Sequence, residues 1–309
     1  MQTNSLILQL TFILFGMMST TVSGQTSAPA PAPTPQPVID MHWHAPGASG
    51  LPATFEMMKT INLKYAVMIG TYDQLRETKA SGNFRFLPAL MFPCENGRLP
   101  NIGIKCFEDA GMLPPLAQLR ERAKNGDIKV FAELSPQYLG MAPDDSRLEP
   151  YYALAEELDL PVGIHMGIGP PAVAYNKPGF PPVKSPNYRG AAGSPLLLEE
   201  LLLRHPKLRL YVMHAAYPFR DEMIYMLYMH PQLYVDVAVL QWAIPRAAYL
   251  RFLQELVEAG FAKRIMFGSD GGPEKLKAGV EAILQADFIT PEQKADILYN
   301  NAARFLRLE

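Results

Sequence analysis

Apolar runs rich in β-forming residues recur along this chain, separated by stretches whose apolar positions follow helical spacing. The runs cover residues 38–44, 64–70, 84–91, 129–134, 161–166, 208–214, 233–239 and 264–270. Between most of them lie amphipathic segments such as 114–124, 147–158, 195–204, 219–229 and 245–259, which the pattern predicts as helices. Eight alternations of strand and helix predict the α/β class and one parallel (β/α)₈ barrel, a TIM barrel, with no second domain. Residues 291–306 are expected to close it. Their helix opens with Thr290-Pro291-Glu292-Gln293, a good N-cap, a favourable proline and a capping-box partner. Two long connections, 92–113 and 167–193, leave C-terminal strand ends, where such barrels build pockets. The second, with Tyr175, Phe180 and Tyr188 among prolines and glycines, is expected to form an aromatic wall.

The N-terminal 37 residues read differently. Residues 6–18 are apolar but too few to span a bilayer, and Val22-Ser23-Gly24 sets small residues where a signal peptidase cuts. Residues 1–24 are therefore expected to be a signal peptide, with an uncleaved anchor as the alternative because no Lys or Arg precedes the apolar run. Residues 25–37 (QTSAPAPAPTPQP) form a Pro/Ala-rich tether, leaving 38–309 as the folded domain. The mature protein is expected in the periplasm or outside the cell, with no stable membrane insertion after cleavage. Export permits a disulfide between the two cysteines, Cys94 and Cys106, which share one loop; two buried free thiols are the alternative. A net charge of −2 and no basic cluster exclude an electrostatic partnership with nucleic acid.

The candidate chemistry lies in the histidines. In an extended strand, His42 and His44 share a face, about 7 Å apart, a spacing suited to a divalent metal. Of the six histidines, His42, His44, His165 and His214 fall at or near C-terminal strand ends. His205 and His230 each precede a proline before a strand, on the opposite, stabilising rim. Asp270 ends the eighth run among glycines. Glu133 sits inside an apolar strand, where an unpaired carboxylate would cost several kcal/mol, so it needs a metal or a donor. Asp236 in the seventh run poses the same question and has no specific assignment.

This set, with His42-x-His44 on the first strand, His165 on the fifth, His214 on the sixth and Asp270 on the eighth, resembles the metal-dependent amidohydrolase superfamily, in particular its amidohydrolase-related family 2 branch. The resemblance runs through the mature domain to Asn300-Asn301-Ala302-Ala303-Arg304-Phe305. It implies one or two divalent ions, zinc first and manganese or a similar ion next, held by His42, His44, Glu133, His165, His214 and Asp270. Where many members carry a carboxylated lysine on the fourth strand, this chain has Glu133. The reaction expected is hydrolysis of a small ester, lactone or amide by hydroxide formed at the metal. Asp270 would orient or deprotonate the water and protonate the leaving group, and His214 would bind a second ion or polarise the carbonyl. Tyr138, Tyr175, Arg189, Tyr217 and Trp242 are the candidate substrate contacts. One alternative is non-oxidative decarboxylation of an aromatic or unsaturated acid, with His214 transferring a proton and Arg189 pairing with the carboxylate. The other is a secreted binding protein that keeps a structural metal. The partner is a small molecule, and homo-oligomerisation is left open.

Overall fold

Eight strands lie side by side in chain order, all parallel. They are β1 (Val38–His44), β2 (Leu63–Gly70), β3 (Phe86–Phe92), β4 (Val130–Leu134), β5 (Val162–His165), β6 (Leu210–Met213), β7 (Leu233–Asp236) and β8 (Ile265–Met266). This computed structural model describes residues 35–45, 51–80, 85–100, 103–107, 111–175 and 185–308. The expected signal peptide and the tether as far as residue 34 lie outside the described residues.

The barrel is nearly closed. Beyond the short β8, the Met41 N–H donates to the Phe267 carbonyl (2.9 Å) and the Asp270 N–H to the His42 carbonyl (2.8 Å). Helices sit between the strands: α1 (Leu51–Thr60), α2 (Tyr72–Ala80), α3 (Leu116–Lys124), α4 (Glu149–Glu157), α5 (Glu199–Arg204), α6 (Arg220–Met229), α7 (Leu240–Ala243), α8 (Arg246–Leu256) and α9 (Pro273–Leu284). The last stretch begins as α10 (Pro291–Ala295), passes through a wider turn and ends as α11 (Asn301–Leu306). Its expected capping box is formed, with the Gln293 N–H donating to Thr290 Oγ1 (3.2 Å) and the Thr290 N–H to Gln293 Oε1 (3.0 Å). It fastens β8: Ile297 offers its carbonyl to the Phe267 N–H (2.9 Å), and Asn301 Nδ2 donates to the carbonyls of Ala262 and Ile265.

Two strands stop well short of where the apolar pattern predicts, beyond the one-residue differences at β5 and β6. The seventh run was expected to reach residue 239, but the Asp236 side chain takes the Ala238 N–H (3.0 Å) and turns the chain out of the ladder. The eighth was expected to reach Asp270, but from Phe267 onward its N–H groups serve Ile297, the Asp40 side chain and His42 instead.

The interior is filled by side chains, as barrels of this size require. Tyr211, fully buried, reaches from β6 to the Met41 carbonyl on β1 (3.2 Å). It lies where a Cβ on Gly163 of β5 would stand, so β5 needs glycine at that point. On the 92–113 connection Cys94 and Cys106 are bridged.

Candidate metal centre

The six ligand candidates are delivered by five strands, His42 and His44 sharing β1, and two of those strands carry a bulge at the delivery point. In β1, Asp40 pairs with Ala66 and Trp43 with Met68, so β1 holds one residue more than β2 over that step. In β4, Phe131 and Leu134 pair with Val162 and Ile164 on one side and Leu90 and Phe92 on the other, again one residue extra. Bulges of this kind re-aim side chains at barrel rims. Here they coincide with His42 and Glu133. Gly268 lets the chain beyond β8 approach closely, since a Cβ there would sit 2.8 Å from His42 Cβ.

The side chains converge in two groups on either side of Glu133. In the first, His44 Nε2 lies 3.1 Å from Asp270 Oδ1 and 3.5 Å from Glu133 Oε2, while His42 Nε2 lies 3.5 and 3.8 Å from the same two oxygens. In the second, Glu133 Oε1 is 2.5 Å from His165 Nδ1 and 3.9 Å from His214 Nε2, and those two nitrogens are 3.2 Å apart. Ligands placed about 2.0–2.1 Å from a tetrahedral zinc stand about 3.3 Å from each other. The observed separations bracket that value. His42 Nε2 is buried with no hydrogen-bond partner, a costly arrangement for an isolated ring and a natural one for a ligand. The donor set thus fits a divalent metal, and it is the convergence of these nitrogens on shared carboxylate oxygens rather than the number of histidines that carries this conclusion.

The surroundings fix which nitrogen points inward. His42 Nδ1 lies 3.3 Å from Asp236 Oδ2, and His214 Nδ1 lies 3.2 Å from the Ala238 carbonyl. With a proton on each Nδ1, both Nε2 atoms face the centre as acceptors, the arrangement metal-binding histidines favour. Burial opposes charge throughout, yet mutual contact prevails at most positions. Burial would raise Glu133, but His165, His214 and His42 hold it well below the ordinary glutamate range. Asp270 is likewise lowered against its burial by His42, His44 and His214. His42 and His214 are raised despite burial by the surrounding carboxylates, while burial prevails at His165 and lowers it. Carboxylates and histidines thus hold one another's charge at this rim, a balance that a divalent ion would take over by replacing the ring protons.

Left-handed backbone gathers at this rim: His214, Ala215 and Ala216 in succession (φ 58°, 44° and 52°), Val239 (65°) and Asp270 (50°). Non-glycine residues pay for this conformation in strain, which clusters at functional sites.

A cavity of ≈ 250 Å³ opens onto the cluster. His42 is wholly enclosed, whereas the side chains of His44 and Asp270 are 32% and 17% exposed and form its floor. Ile168, Pro170, Pro171 and Val239 make much of the wall. Of the candidate substrate contacts, Tyr138 lines the cavity with its ring 4.8 Å from that of His165, and Trp242 lines it with Nε1 donating to the Ser269 carbonyl (2.9 Å). The other three stand elsewhere. Tyr217 packs on Phe252 in a separate groove. Tyr175 is 62% exposed and outside the lining. Arg189 is exposed, and its Nη1 donates to the carbonyls of Pro186 and Tyr188 (both 2.8 Å).

Two buried acids complete the surroundings. Asp236 touches His42, and also accepts the His214 N–H (2.9 Å). Asp40 went unnoticed in the sequence, although its place two residues before His42 put it on the ligand face. Burial pushes its carboxyl up to about 7, against the pull of the N–H groups it accepts.

Comparison with known proteins agrees with this geometry. The amidohydrolase family model (Amidohydro_2) matches residues 39–308. The structure is similar to an uncharacterised TIM-barrel protein of Bordetella bronchiseptica, with TM-score 0.62 and 20% identity over 87% of this chain and 98% of that one. It is similar to 5-carboxyvanillate decarboxylase LigW of Sphingomonas paucimobilis (0.59, 14%, 89% and 100%). It is also similar to an amidohydrolase of Burkholderia multivorans with bound zinc (0.56, 15%, 88% and 100%). At these identities the likeness speaks to the fold. By sequence the chain is 26% identical over 133 residues to protein fluG of Emericella nidulans, a match spanning 37% of this chain and 15% of that protein.

Proposed function

Given that the chain belongs to the amidohydrolase family, we propose that it is a metal-dependent hydrolase acting on a small uncharged ester, lactone or amide. The observation that carries this reading is Asp270, whose carboxylate lies 3.1 Å from His44 Nε2 and faces the cavity. A divalent ion held here would supply Lewis acidity, enough to bring the pKa of a bound water from about 15.7 toward 7. His42, His44, Asp270 and Glu133 Oε2 would hold one ion; Glu133 Oε1, His165 and His214 would hold a second. Zinc suits the nitrogen and oxygen donors, with manganese next.

Asp270 accepts the proton of the attacking water at its carboxylate and returns it to the leaving group. His214, steadied through Nδ1 on the Ala238 carbonyl, presents Nε2 to the centre. Tyr138, Trp242 and the Ile168–Pro171 wall bind the apolar body of the substrate and shield the cluster from bulk water. Among the described lining residues there is no lysine or arginine to meet a substrate carboxylate. That favours hydrolysis over the decarboxylation of aromatic acids carried out by some structural neighbours.

The test is a screen of zinc- or manganese-loaded protein against lactones, esters, amides and aromatic acids in ¹⁸O-labelled water. Label in the product supports the proposal; carbon dioxide release without label overturns it. Export is part of the same reading, supported by the Cys94–Cys106 bridge, since disulfides persist in oxidising compartments. N-terminal sequencing of envelope protein should return Gln25; intact Met1 would reject cleavage.

A further inference from the structure

Two buried aspartates at the barrel mouth make the same pattern of contacts. Asp236 Oδ1 accepts the N–H two residues on, at Ala238 (3.0 Å), and the N–H of His214 at the end of the neighbouring β6 (2.9 Å). Asp40 Oδ1 accepts the N–H two residues on, at His42 (2.9 Å), and the N–H of Ser269 just beyond the neighbouring β8 (3.0 Å). Each oxygen thus ties two adjacent strand ends together where the ladder has run out; the segments tied by Asp40 carry His42 and Asp270, and one of those tied by Asp236 carries His214. They differ at the second oxygen. Asp236 Oδ2 meets His42 Nδ1, whereas Asp40 Oδ2 has no partner.

We propose that Asp40 is a positioning residue, a backbone clamp that sets Asp270 against His42 and His44 and needs only an acceptor oxygen, not a charge. Asp236 makes the matching clamp but needs both oxygens. The inference rests on the metal-centre reading for its effect on ligands, though not for the clamp itself. The physical reason is that the β8–β1 seam is the weakest in the barrel. β8 has two residues in its ladder, and past it the seam relies on a few N–H groups, one of them that of Ser269. Without an acceptor at position 40, two buried N–H groups lose their partner, and the segment carrying Asp270 loosens. At Asp236, an amide would place an N–H₂ against the His42 Nδ1–H. Relief requires moving the ring proton to Nε2, the nitrogen that faces the ion.

The experiment compares Asp40→Asn, Asp40→Ala and Asp236→Asn with the wild type in two measurements. In metal-free protein, amide exchange is followed in the peptides covering 40–44 and 267–272. Co²⁺ is then titrated alone, reading its dissociation constant and visible spectrum. Asp40→Asn should match wild-type exchange and spectrum, with a Co²⁺ constant within about threefold. Asp40→Ala should exchange faster in both peptides and bind Co²⁺ about 10–100-fold more weakly. Asp236→Asn should weaken Co²⁺ by a similar factor and alter the spectrum while leaving those peptides protected. If Asp40→Asn loses as much Co²⁺ affinity as Asp40→Ala, charge is required and the proposal fails. If Asp40→Ala exchanges like the wild type, there is no clamp. Should Asp40→Ala not fold, the Asp40→Asn result still decides. Should wild type bind no Co²⁺, the metal reading falls and the exchange data alone judge the clamp.

Discussion

Both rims of this barrel bury histidines beside carboxylates, yet they use them in opposite ways. At the N-terminal rim, His205 is held between Glu149 Oε1 (2.8 Å from Nε2) and Glu156 Oε2 (3.1 Å from Nδ1), so both ring nitrogens point apart to separate partners. His230 sits nearby with Glu199 3.7 Å from its Nε2, which has no hydrogen bond. At the C-terminal rim the nitrogens point toward one another, as with His214 Nε2 and His165 Nδ1, 3.2 Å apart. An unpartnered nitrogen occurs at both rims, so it does not by itself mark a ligand. Convergence of several does, because facing lone pairs repel unless a cation lies between them.

The comparison breaks first at His42. His42→Ala or His44→Ala should abolish stoichiometric metal and all turnover, while His205→Ala and His230→Ala keep both. Metal analysis of purified variants checks this, and loss of metal from a folded His205 or His230 variant would reverse the assignment of the rims. Next in size is Asp270→Asn, which keeps one coordinating oxygen and removes the base. Turnover should fall by ~10²–10⁴ with the protein folded and part of its metal retained. If Asp270 only caps the turn, asparagine would serve as well and turnover would barely change. A smaller effect belongs to His205→Ala, which removes the ring that stands between Glu149 and Glu156. It should lower stability by about 1–3 kcal/mol in denaturant unfolding without touching metal content.

The smallest effect concerns pH. Burial would raise Glu149, but hydrogen bonds from His205 and Arg204 hold it below the ordinary glutamate range. A group whose folded pKa is depressed stabilises the protein above its unfolded pKa, and that contribution is lost as pH falls through the folded value. Glu149→Gln should therefore flatten the acid limb of the stability curve below the ordinary glutamate range. An unchanged limb would show that this rim does not hold its histidine by charge.

Much of this was legible in the residue order. Strand positions followed from local apolar runs, and five of the six ligand candidates stood out where polar residues interrupt those runs at or near their C-terminal ends; Glu133 stood out as a carboxylate inside a run, and the resemblance joined them into one ligand set. The Thr290 capping box was readable because all its parts lie within four residues. The cavity wall was less accessible. Tyr138 and Trp242 do line it, whereas Tyr175, Arg189 and Tyr217 stand outside the lining. Nothing in their neighbourhoods distinguishes the two groups, since a loop side chain's direction is set by what packs beneath it.

The sequence by itself determined the barrel and the rim on which each histidine falls, because alternation along a strand and position within a βα unit are local properties of the chain. Only the tertiary structure decided that Glu133 stands between two groups of ligands, that Asp236 turns His42 and that Asp40 holds Ser269. Those contacts join residues 32, 194 and 229 positions apart. They depend on strand register, on one extra residue in each of β1 and β4 and on a seam that closes with side chains where the ladder ends. A bulge of one residue re-aims a whole side chain, and no local pattern in an apolar run announces where it falls.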